Sequence, residues 1–333
     1  MEDFKFAWKN LFGHDATVDY LKKNIAAEKF PHAVIFSGAE GIGKRLAAEI
    51  CAAALLCENP QNGSPCGVCE NCQLVAAHTH PDFYIVEAEE TKTTRNIKIG
   101  QIRALQTEAA LRPINSSRRV VILDGAELMN NAAANCLLKT IEEPPSQPIF
   151  ILLTASRSSL LMTIRSRCMT VNFDKLPPEK IRDALIARDI ETQEAERLSV
   201  IADGSFGRAL KLKESGGAQL RETALDILEK ISRAELSNEE IFKHGADFAD
   251  WSREKFTDFL MHVQKILRDI CFAEVLEPHN SDLAARLRKI KISEQKIFAM
   301  IEMGADFHKR LKSNANLRLL AEAYLMQLKK FCK

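Results

Sequence analysis

A glycine-rich segment between an apolar run and a helical pattern limits most strongly how this chain can fold. Residues 38–45 read Gly-Ala-Glu-Gly-Ile-Gly-Lys-Arg and follow the apolar run 33–36. Glycines in such a turn let backbone N–H groups converge on phosphate oxygens, and the helix N-terminus that follows adds a favourable partial charge. The segment therefore predicts a phosphate-binding loop of the Walker A type. The residues expected to hold the phosphates are Gly38, Gly41, Gly43 and Lys44.

Two positions of this site depart from what hydrolysis requires. A Walker A loop places Ser or Thr after its lysine to bind Mg²⁺, and this chain has Arg45 there. The apolar run 120–123 ends at Asp124, the residue expected to hold Mg²⁺, but Gly125 follows where an acid would orient water. Glu127, two positions later, is expected to point elsewhere. We therefore expect a degenerate site in which binding of ATP and Mg²⁺ is in doubt. The alternative is a glycine-rich turn with no phosphate role.

Short apolar runs alternate with helical patterns through the first half of the chain. The runs are nearly continuous in apolar residues, which is typical of strands buried on both faces of a parallel sheet. After about residue 175 the apolar stripes have the helical period. The sequence predicts an α/β domain with a parallel sheet, then a small helical unit to about residue 215 and an all-α remainder. The predicted strands are 33–36, 83–86, 120–123, 149–153 and 169–173.

Four of the nine cysteines lie close together, with the spacing C-x8-C-x2-C-x2-C. An x2 spacing lets neighbouring thiolates reach one tetrahedral ion, so we interpret the four as ligands of a structural Zn²⁺. An iron–sulfur cluster is the alternative, although the further cysteine and proline of a ferredoxin run are absent. His78 and His80 are interpreted as ordinary surface or turn residues. The predicted zinc ligands are Cys57, Cys66, Cys69 and Cys72.

The charge balance and the apolar patterning limit the class of protein. Lys and Arg number 46 and Asp and Glu 45, so the net charge is +1. This argues against wrapping a long stretch of nucleic acid unaided, which needs a dense basic surface. The first residues carry two acids and no apolar run, so we expect no secretory signal. No apolar run is long enough to span a membrane. Clustered cysteines favour metal binding in a reducing compartment, and we expect a cytoplasmic protein.

Several motifs occur in a fixed order. After the phosphate loop and the cysteine cluster come His-Pro-Asp at 80–82, Leu-Leu-Lys-Thr-Ile-Glu-Glu-Pro-Pro at 137–145 and Ser-Arg-Cys at 166–168. With this order the chain resembles the bacterial clamp-loader ATPase family over roughly residues 4–215. The C-terminal part is similar mainly by helical pattern, including residues 316–322. The family's ATP-hydrolysing subunits, gamma and tau, carry the complete site, so this chain is similar to the family's structural members.

The resemblance implies a domain organisation and an architecture. It implies an AAA+ domain over residues 1–170 that carries the zinc module at 57–72. A helical lid is implied over 171–215 and a C-terminal collar over 216–333. The collar would join the chain to other subunits in an open ring of five.

The resemblance also implies roles for individual residues. Arg167 would reach the ATP of a neighbouring subunit as an arginine finger, which stabilises charge on the transferred phosphoryl group. Arg165 is the competing candidate, and a surface salt bridge is the alternative interpretation of Arg167. Thr154 would be a sensor-1 residue and Arg208 a sensor-2 residue of the degenerate nucleotide site.

The function that the resemblance implies is that of a structural subunit with no expected ATPase activity of its own. The chain would help to load a sliding clamp onto primed DNA, as part of a DNA polymerase III holoenzyme. Its partners would be the gamma and tau ATPase subunits and a delta subunit, with the clamp and primer-template DNA reached through the assembly. A free-standing AAA+ ATPase of DNA repair or recombination is the alternative. A redox or metal-sensing module built on the four cysteines is a third hypothesis.

Overall fold

The chain forms two compact units. The computed structural model describes residues 4–90, 95–142, 148–272, 280–311 and 316–332. The first unit holds Met1–Lys180 with Ser205–Gly207, and the second holds Ile181–Gly204 with Arg208–Lys333. Residues 143–145 of the motif at 137–145 lie outside the described residues.

The first unit is built on a parallel sheet of five strands in the order β2-β5-β6-β1-β7. All five predicted strands are confirmed, the last ending one residue earlier than expected. An antiparallel pair, β3 (Glu89–Glu90) with β4 (Arg95–Asn96), accompanies the sheet. Both faces of the central strands are buried, which explains their continuous apolar runs. The sheet strands are β1 (Ala33–Ser37), β2 (Phe83–Glu87), β5 (Val120–Asp124), β6 (Ile149–Thr154) and β7 (Met169–Asn172).

The strand register brings the chemically important residues to one edge of the sheet. Ser37 at the end of β1 pairs with Thr154 at the end of β6. Asp124 at the end of β5 pairs with Leu153 of β6 and with Glu87 of β2. Because the strands are parallel, their carboxyl ends meet at this edge, where the loop after β1 also begins.

Helices cover the sheet, and apolar clusters fill the space on its two sides. The helix α2 begins directly at the end of the glycine-rich loop, with ten of its residues buried. The helices up to residue 165 are α1 (Asp15–Ala26), α2 (Lys44–Leu56), α3 (Glu70–Ala76), α4 (Ile99–Ala110), α5 (Asn131–Glu142) and α6 (Met162–Arg165).

The regular structure described after β7 is helical, as predicted. Ser237 caps one helix by accepting from the backbone N–H of Glu240, whose side chain accepts in return from the Ser237 N–H, a pattern that fixes a helix start. Asn316 caps another through the N–H of Leu319. The helices are α7 (Pro178–Ile186), α8 (Thr192–Ile201), α9 (Phe206–Ser215), α10 (Gly217–Ser232), α11 (Asn238–Ala249), α12 (Arg253–Cys271), α13 (Ala284–Leu287), α14 (Glu294–Leu311) and α15 (Leu317–Lys329).

The second unit has its own apolar core, formed mainly by α10, α11, α12, α14 and α15. Tyr324 is fully buried and makes edge-on ring contacts with Phe256, Phe259 and Phe307. The lid–collar boundary predicted at residue 215 falls inside this unit. Gly216 adopts a left-handed conformation there, between α9 and α10. No helix in the described ranges has both the length and the apolarity needed to cross a bilayer.

A buried carboxylate just before β2 fixes the loop that leads into β5. Asp82 is fully buried. It accepts hydrogen bonds from the backbone N–H groups of Ile114, Asn115 and Ser116 at 2.8 to 3.1 Å. Arg119 Nε also donates to it at 3.3 Å and is itself buried. Burial alone would raise the pKa of Asp82, but these donors favour the charged form and hold its pKa below the ordinary value.

We expect Asp82→Asn to lower the free energy of unfolding by about 3–5 kcal/mol, because it leaves Arg119 buried without its counter-charge. The contribution of Asp82 should be complete above its unfolded pKa of about 3.9 and be lost as the pH falls through the lowered folded value. Urea unfolding at pH 7 and at pH 3 measures both effects, with Asp19→Asn on the exposed side of α1 as the control. An equal loss of stability in the two variants would contradict this role.

Candidate functional site

The glycine-rich loop joins β1 to α2 in the position expected of a phosphate-binding loop. Gly43 lies at the N-terminus of α2 with a φ of 110°, a backbone conformation that residues with a Cβ rarely adopt. A Cβ on Gly38 would lie 2.4 Å from the Phe173 carbonyl oxygen, so the loop packs tightly against the chain after β7. Buried His14 donates from Nε2 to the carbonyl of Ile42 at 2.9 Å. The sequence therefore gives a tight, well-supported turn at the edge of the sheet.

Lys44 is directed at the loop that precedes it. Its Nζ donates to the carbonyl oxygens of Gly38 at 2.5 Å and Ala39 at 2.8 Å. The side chain is largely buried, and burial lowers the pKa of Lys44, an effect opposed by the carboxylates of Glu127, Asp124 and Glu40. The lysine is thus in the place predicted for it, with the loop's own carbonyls as its partners.

Arg45 lies among three carboxylates. Its guanidinium contacts Glu49 at 2.8 Å, Glu87 at 2.7 Å and Asp124 at 2.7 Å. Burial opposes its charge, but these carboxylates overcome that effect and raise the pKa of Arg45. The Arg45 side chain is 30% exposed. The acid predicted to hold Mg²⁺ therefore already has a cation as its partner. In this arrangement the residues do not fit a divalent ion bound to Asp124.

Glu127 and Thr154 also lie at this edge of the sheet. The expectation that Glu127 points elsewhere is wrong: it lines the same cavity as Lys44 and accepts from the backbone N–H of Ala155 at 2.9 Å. The short 3₁₀ turn Ala126–Leu128 after Gly125 brings its side chain back to the site. Its second oxygen, Oε2, is buried without a hydrogen-bond partner among the described residues. Thr154 is buried and donates from Oγ1 to the Ser156 carbonyl at 2.9 Å.

These side chains surround a cavity of about 460 Å³. Four acids and two bases line it, so the wall carries a net negative charge, which disfavours phosphate unless a cation accompanies it. The acids are Glu40, Glu49, Asp124 and Glu127, and the bases are Lys44 and Arg45. The glycines Gly41 and Gly43 contribute to the same wall, as do Thr154 and Gly125.

The segment Ser205–Gly207 belongs to the first unit and contacts the phosphate loop, which the sequence did not predict. Gly207 donates its backbone N–H to the Gly41 carbonyl at 2.8 Å. Ser205 donates from Oγ to the Glu40 carbonyl at 2.8 Å. A Cβ on Gly207 would lie 2.7 Å from that Gly41 oxygen, so only glycine fits this contact. Two carbonyls of the loop are therefore already hydrogen-bonded.

Arg208, the predicted sensor-2 residue, belongs to the second unit. Within that unit it lies close enough to His262 to affect its titration. Burial is the main cause that lowers the pKa of His262 to about 3, and the positive charges of Arg208, Lys265 and Arg221 add to it. A role for Arg208 toward a nucleotide stays a prediction.

The four clustered cysteines converge on one point. All four Sγ atoms lie within 4.8 Å of one another, and the pairs Cys57–Cys69 and Cys66–Cys72 are both 3.9 Å apart. Four sulfurs around one Zn²⁺, with Zn–S bonds of about 2.3 Å, stand about 3.8 Å apart. Backbone N–H groups of Cys66, Cys69 and Cys72 point at neighbouring sulfurs. The cluster can hold one metal ion.

The nearby histidines lie outside this cluster. His80 begins a turn, as expected, since its carbonyl accepts from the Phe83 N–H at 3.1 Å, but the turn is buried; its Nδ1 accepts from the Asp82 N–H. Burial lowers the pKa of His80. His78 is part-exposed, with Nε2 3.9 Å from Glu49. The metal-binding group found among the described residues consists of cysteines alone.

Arg167 is exposed just after α6. Its Nη2 contacts Glu142 Oε1 at 2.5 Å, and its Nη1 donates to the Thr163 carbonyl at 3.1 Å. The competing candidate Arg165 has its Nε buried. Arg167 is the more exposed of the two residues, since Arg165 is half-buried, which favours Arg167 for contact with a neighbouring subunit.

Comparisons with known proteins find subunits of DNA polymerase III. The family described as "DNA polymerase III, delta subunit" matches residues 13–177. A relative from Pseudomonas aeruginosa named "DNA polymerase III subunit delta'" is 37% identical over 202 residues, 61% of this chain and 61% of that protein. One of the same name from Bacillus subtilis is 28% identical over 92% of this chain and 94% of its own length. The chain is thus similar to subunits of DNA polymerase III, the delta-prime subunit among them.

A third relative has a different name. The protein "DNA polymerase III subunit gamma/tau" from Mycobacterium bovis is 32% identical over 68% of this chain, and the match spans 37% of that protein. The match to the Pseudomonas delta-prime protein likewise spans under two thirds of its length. Delta-prime and gamma/tau sequences are thus both similar to this chain.

Part of this site could be predicted from the sequence, and part could not. Glu49 follows Arg45 by four residues on one helix, a spacing that allows an ion pair. Glu87, by contrast, reaches Arg45 only because β2 lies next to β5. Neither the Gly207 contact nor the Glu142 contact carries a local sequence signal.

Proposed function

We propose that this chain works as the delta-prime member of a clamp loader, a ring subunit that does not turn over ATP itself. It would instead lend Arg167 to the ATP site of a neighbouring subunit. The single observation that carries the proposal is the ion pair between Arg45 and Asp124, because it engages the acid that a catalytic Mg²⁺ would need. The similarity to delta-prime subunits supports the assignment.

The charge of Arg45 explains why its own site is poorly suited to hydrolysis. Two unit charges 4 Å apart interact by about 4 kcal/mol at a surface-like dielectric, so Mg²⁺ beside the guanidinium meets a repulsion of about 8 kcal/mol before solvent screening. Asp124 would have to exchange one cation for the other. Gly125 offers no carboxylate to orient water at the next position.

The exposure of Arg167 supports a role toward a neighbour. An arginine finger must reach a phosphoryl group bound to another subunit, and therefore must stand at the surface of its own. Arg167 is 40% exposed and lies at the short helix α6, away from the lining of the chain's own cavity. The predicted roles of Thr154 and Arg208 as sensors are part of the same proposal.

The cysteine cluster supports a structural zinc site. Cys57, Cys66, Cys69 and Cys72 would each supply a thiolate, leaving no open position for chemistry. The ion would have a structural role only, as a cross-link between two helices. The helix α2 ends at Leu56, next to Cys57, and α3 begins at Glu70, next to Cys69. The zinc would thus join the far end of α2 to the start of α3.

The partners follow from the same proposal. The chain would assemble with gamma or tau ATPase subunits and a delta subunit, using the predicted collar at residues 216–333. Through that assembly it would act on a sliding clamp and primer-template DNA in the cytoplasm. Its near-neutral charge suits a subunit that contacts DNA as part of a larger complex.

The test compares ATP turnover by the purified chain with turnover by the chain mixed with its organism's ATPase subunits, delta, clamp and primed DNA. We expect no turnover from the chain alone and clamp- and DNA-stimulated turnover from the full mixture, lost when this chain is left out. The free-standing ATPase is the second candidate, favoured by the cavity with Lys44 and the unpartnered Oε2 of Glu127. Turnover by the chain alone that Lys44→Ala abolishes would select it.

A further inference from the structure

The guanidinium of Arg167 is held from three directions. Glu142 at the end of α5 contacts Nη2 at 2.5 Å. The Thr163 carbonyl and the Ser166 hydroxyl accept from Nη1 at 3.1 and 3.3 Å. Thr163 and Ser166 are neighbours in sequence and would accompany the arginine wherever α6 goes. Glu142 belongs to a different helix and fixes the direction of the side chain relative to the body of the first unit.

The position of Glu142 in α5 favours a contact with a cation. Glu142 is the last described residue of α5 and follows Asn131 by eleven positions, so it lies toward the C-terminal end of the helix, which carries a partial negative charge. A carboxylate there is unfavourable unless a cation is nearby, and Arg167 supplies one. Both residues are 40–43% exposed, so the pair stays accessible to a third group such as a phosphate.

We propose that Glu142 is a positioning residue for Arg167, holding its guanidinium in the direction from which it meets a neighbouring subunit's nucleotide. The proposal rests on the trans-acting role of Arg167 proposed above. An arginine without restraint samples many rotamers, and a side chain ordered before assembly loses less freedom when it reaches its target. The contact with Glu142 provides that order.

The test measures ATP turnover by the reconstituted assembly with Glu142→Gln, which keeps the shape of the side chain and removes its charge. We expect kcat to fall about two- to fivefold, the range of an exposed ion pair, with KM for ATP and the yield of assembled complex unchanged. Glu28→Gln, on the exposed turn after α1, makes the same chemical change elsewhere and should have no effect.

A double-mutant cycle shows whether Glu142 acts through Arg167. In the Arg167→Ala background, Glu142→Gln should cause no further decrease. An equal decrease in both backgrounds, or unchanged or increased turnover in the single variant, would overturn the positioning role. If Arg167→Ala itself leaves turnover unchanged, the trans-acting role of Arg167 is wrong, whatever Glu142→Gln does. The two proposals can therefore fail separately.

Discussion

Replacing Arg167 with alanine is expected to lower ATP hydrolysis at the neighbouring subunit's site by about 10³-fold, because an arginine finger contributes at least that factor in comparable enzymes. The loss should appear in kcat, since the guanidinium acts on charge that develops in the transition state. Steady-state hydrolysis with clamp and primed DNA measures it. The size of the loss depends on how many of the complex's active sites border this subunit, and single-turnover kinetics isolates the affected one.

Two control variants separate chemistry from structure. Arg167→Lys keeps the charge but loses the planar fork of donors, and is expected to recover only part of the rate. Arg233→Ala removes an exposed arginine that is loosely paired with Glu229 at 3.8 Å, and should leave turnover unchanged. Full turnover by an intact assembly that carries Arg167→Ala would refute the role of Arg167 as an arginine finger. If the variant fails to assemble, Arg167 would instead be a residue of the subunit interface.

Loss of one cysteine ligand is expected to have the second largest effect. Cys72→Ser should abolish stoichiometric zinc and strongly destabilise the first unit, because structural zinc sites contribute about 10–16 kcal/mol of apparent binding free energy. That figure matches or exceeds the whole stability of a typical domain, about 5–15 kcal/mol. Cys72 is fully buried, so a serine there would also bury a hydroxyl beside the remaining thiolates.

Metal analysis and thermal unfolding with and without chelator measure this effect. Cys136→Ser is the matched control: this half-buried cysteine lies outside the cluster, and its Sγ donates to Gln106 at 3.0 Å, a bond that a serine can replace. A colourless protein with one zinc per chain is the expected preparation. A brown protein containing iron would point to the metal-sensing hypothesis, and a stable, metal-free Cys72→Ser protein would contradict a structural zinc.

The sequence predicted what local patterns report. Continuous apolar runs located all five strands of the sheet, and the spacing from Cys57 to Cys72 identified a group that the fold brings within 4.8 Å. The position of Lys44 followed from the loop motif. In each case the residues that interact are close in sequence or belong to one repeating pattern.

The remaining features depend on pairings between distant segments. Glu127 was expected to point away because only its spacing from Asp124 was considered, while the turn after Gly125 directs it into the cavity. His80 was expected to be a surface or turn residue; it begins a turn, but one that is buried, beside Asp82. Such contacts follow from strand order and packing, which a single sequence does not encode at any one position.

The ion pairs of Arg45 also bear on how this site could change during evolution. Glu49, Glu87 and Asp124 now share one guanidinium, so a mutation that restores a hydroxyl at position 45 would leave three carboxylates facing one another. Until a metal bound there, each mutant protein would be less stable than its parent, and without an acid at position 125 it would gain no hydrolysis in return. Arg45 therefore acts as a barrier: a hydrolytic site cannot be reached through single substitutions that are each favourable.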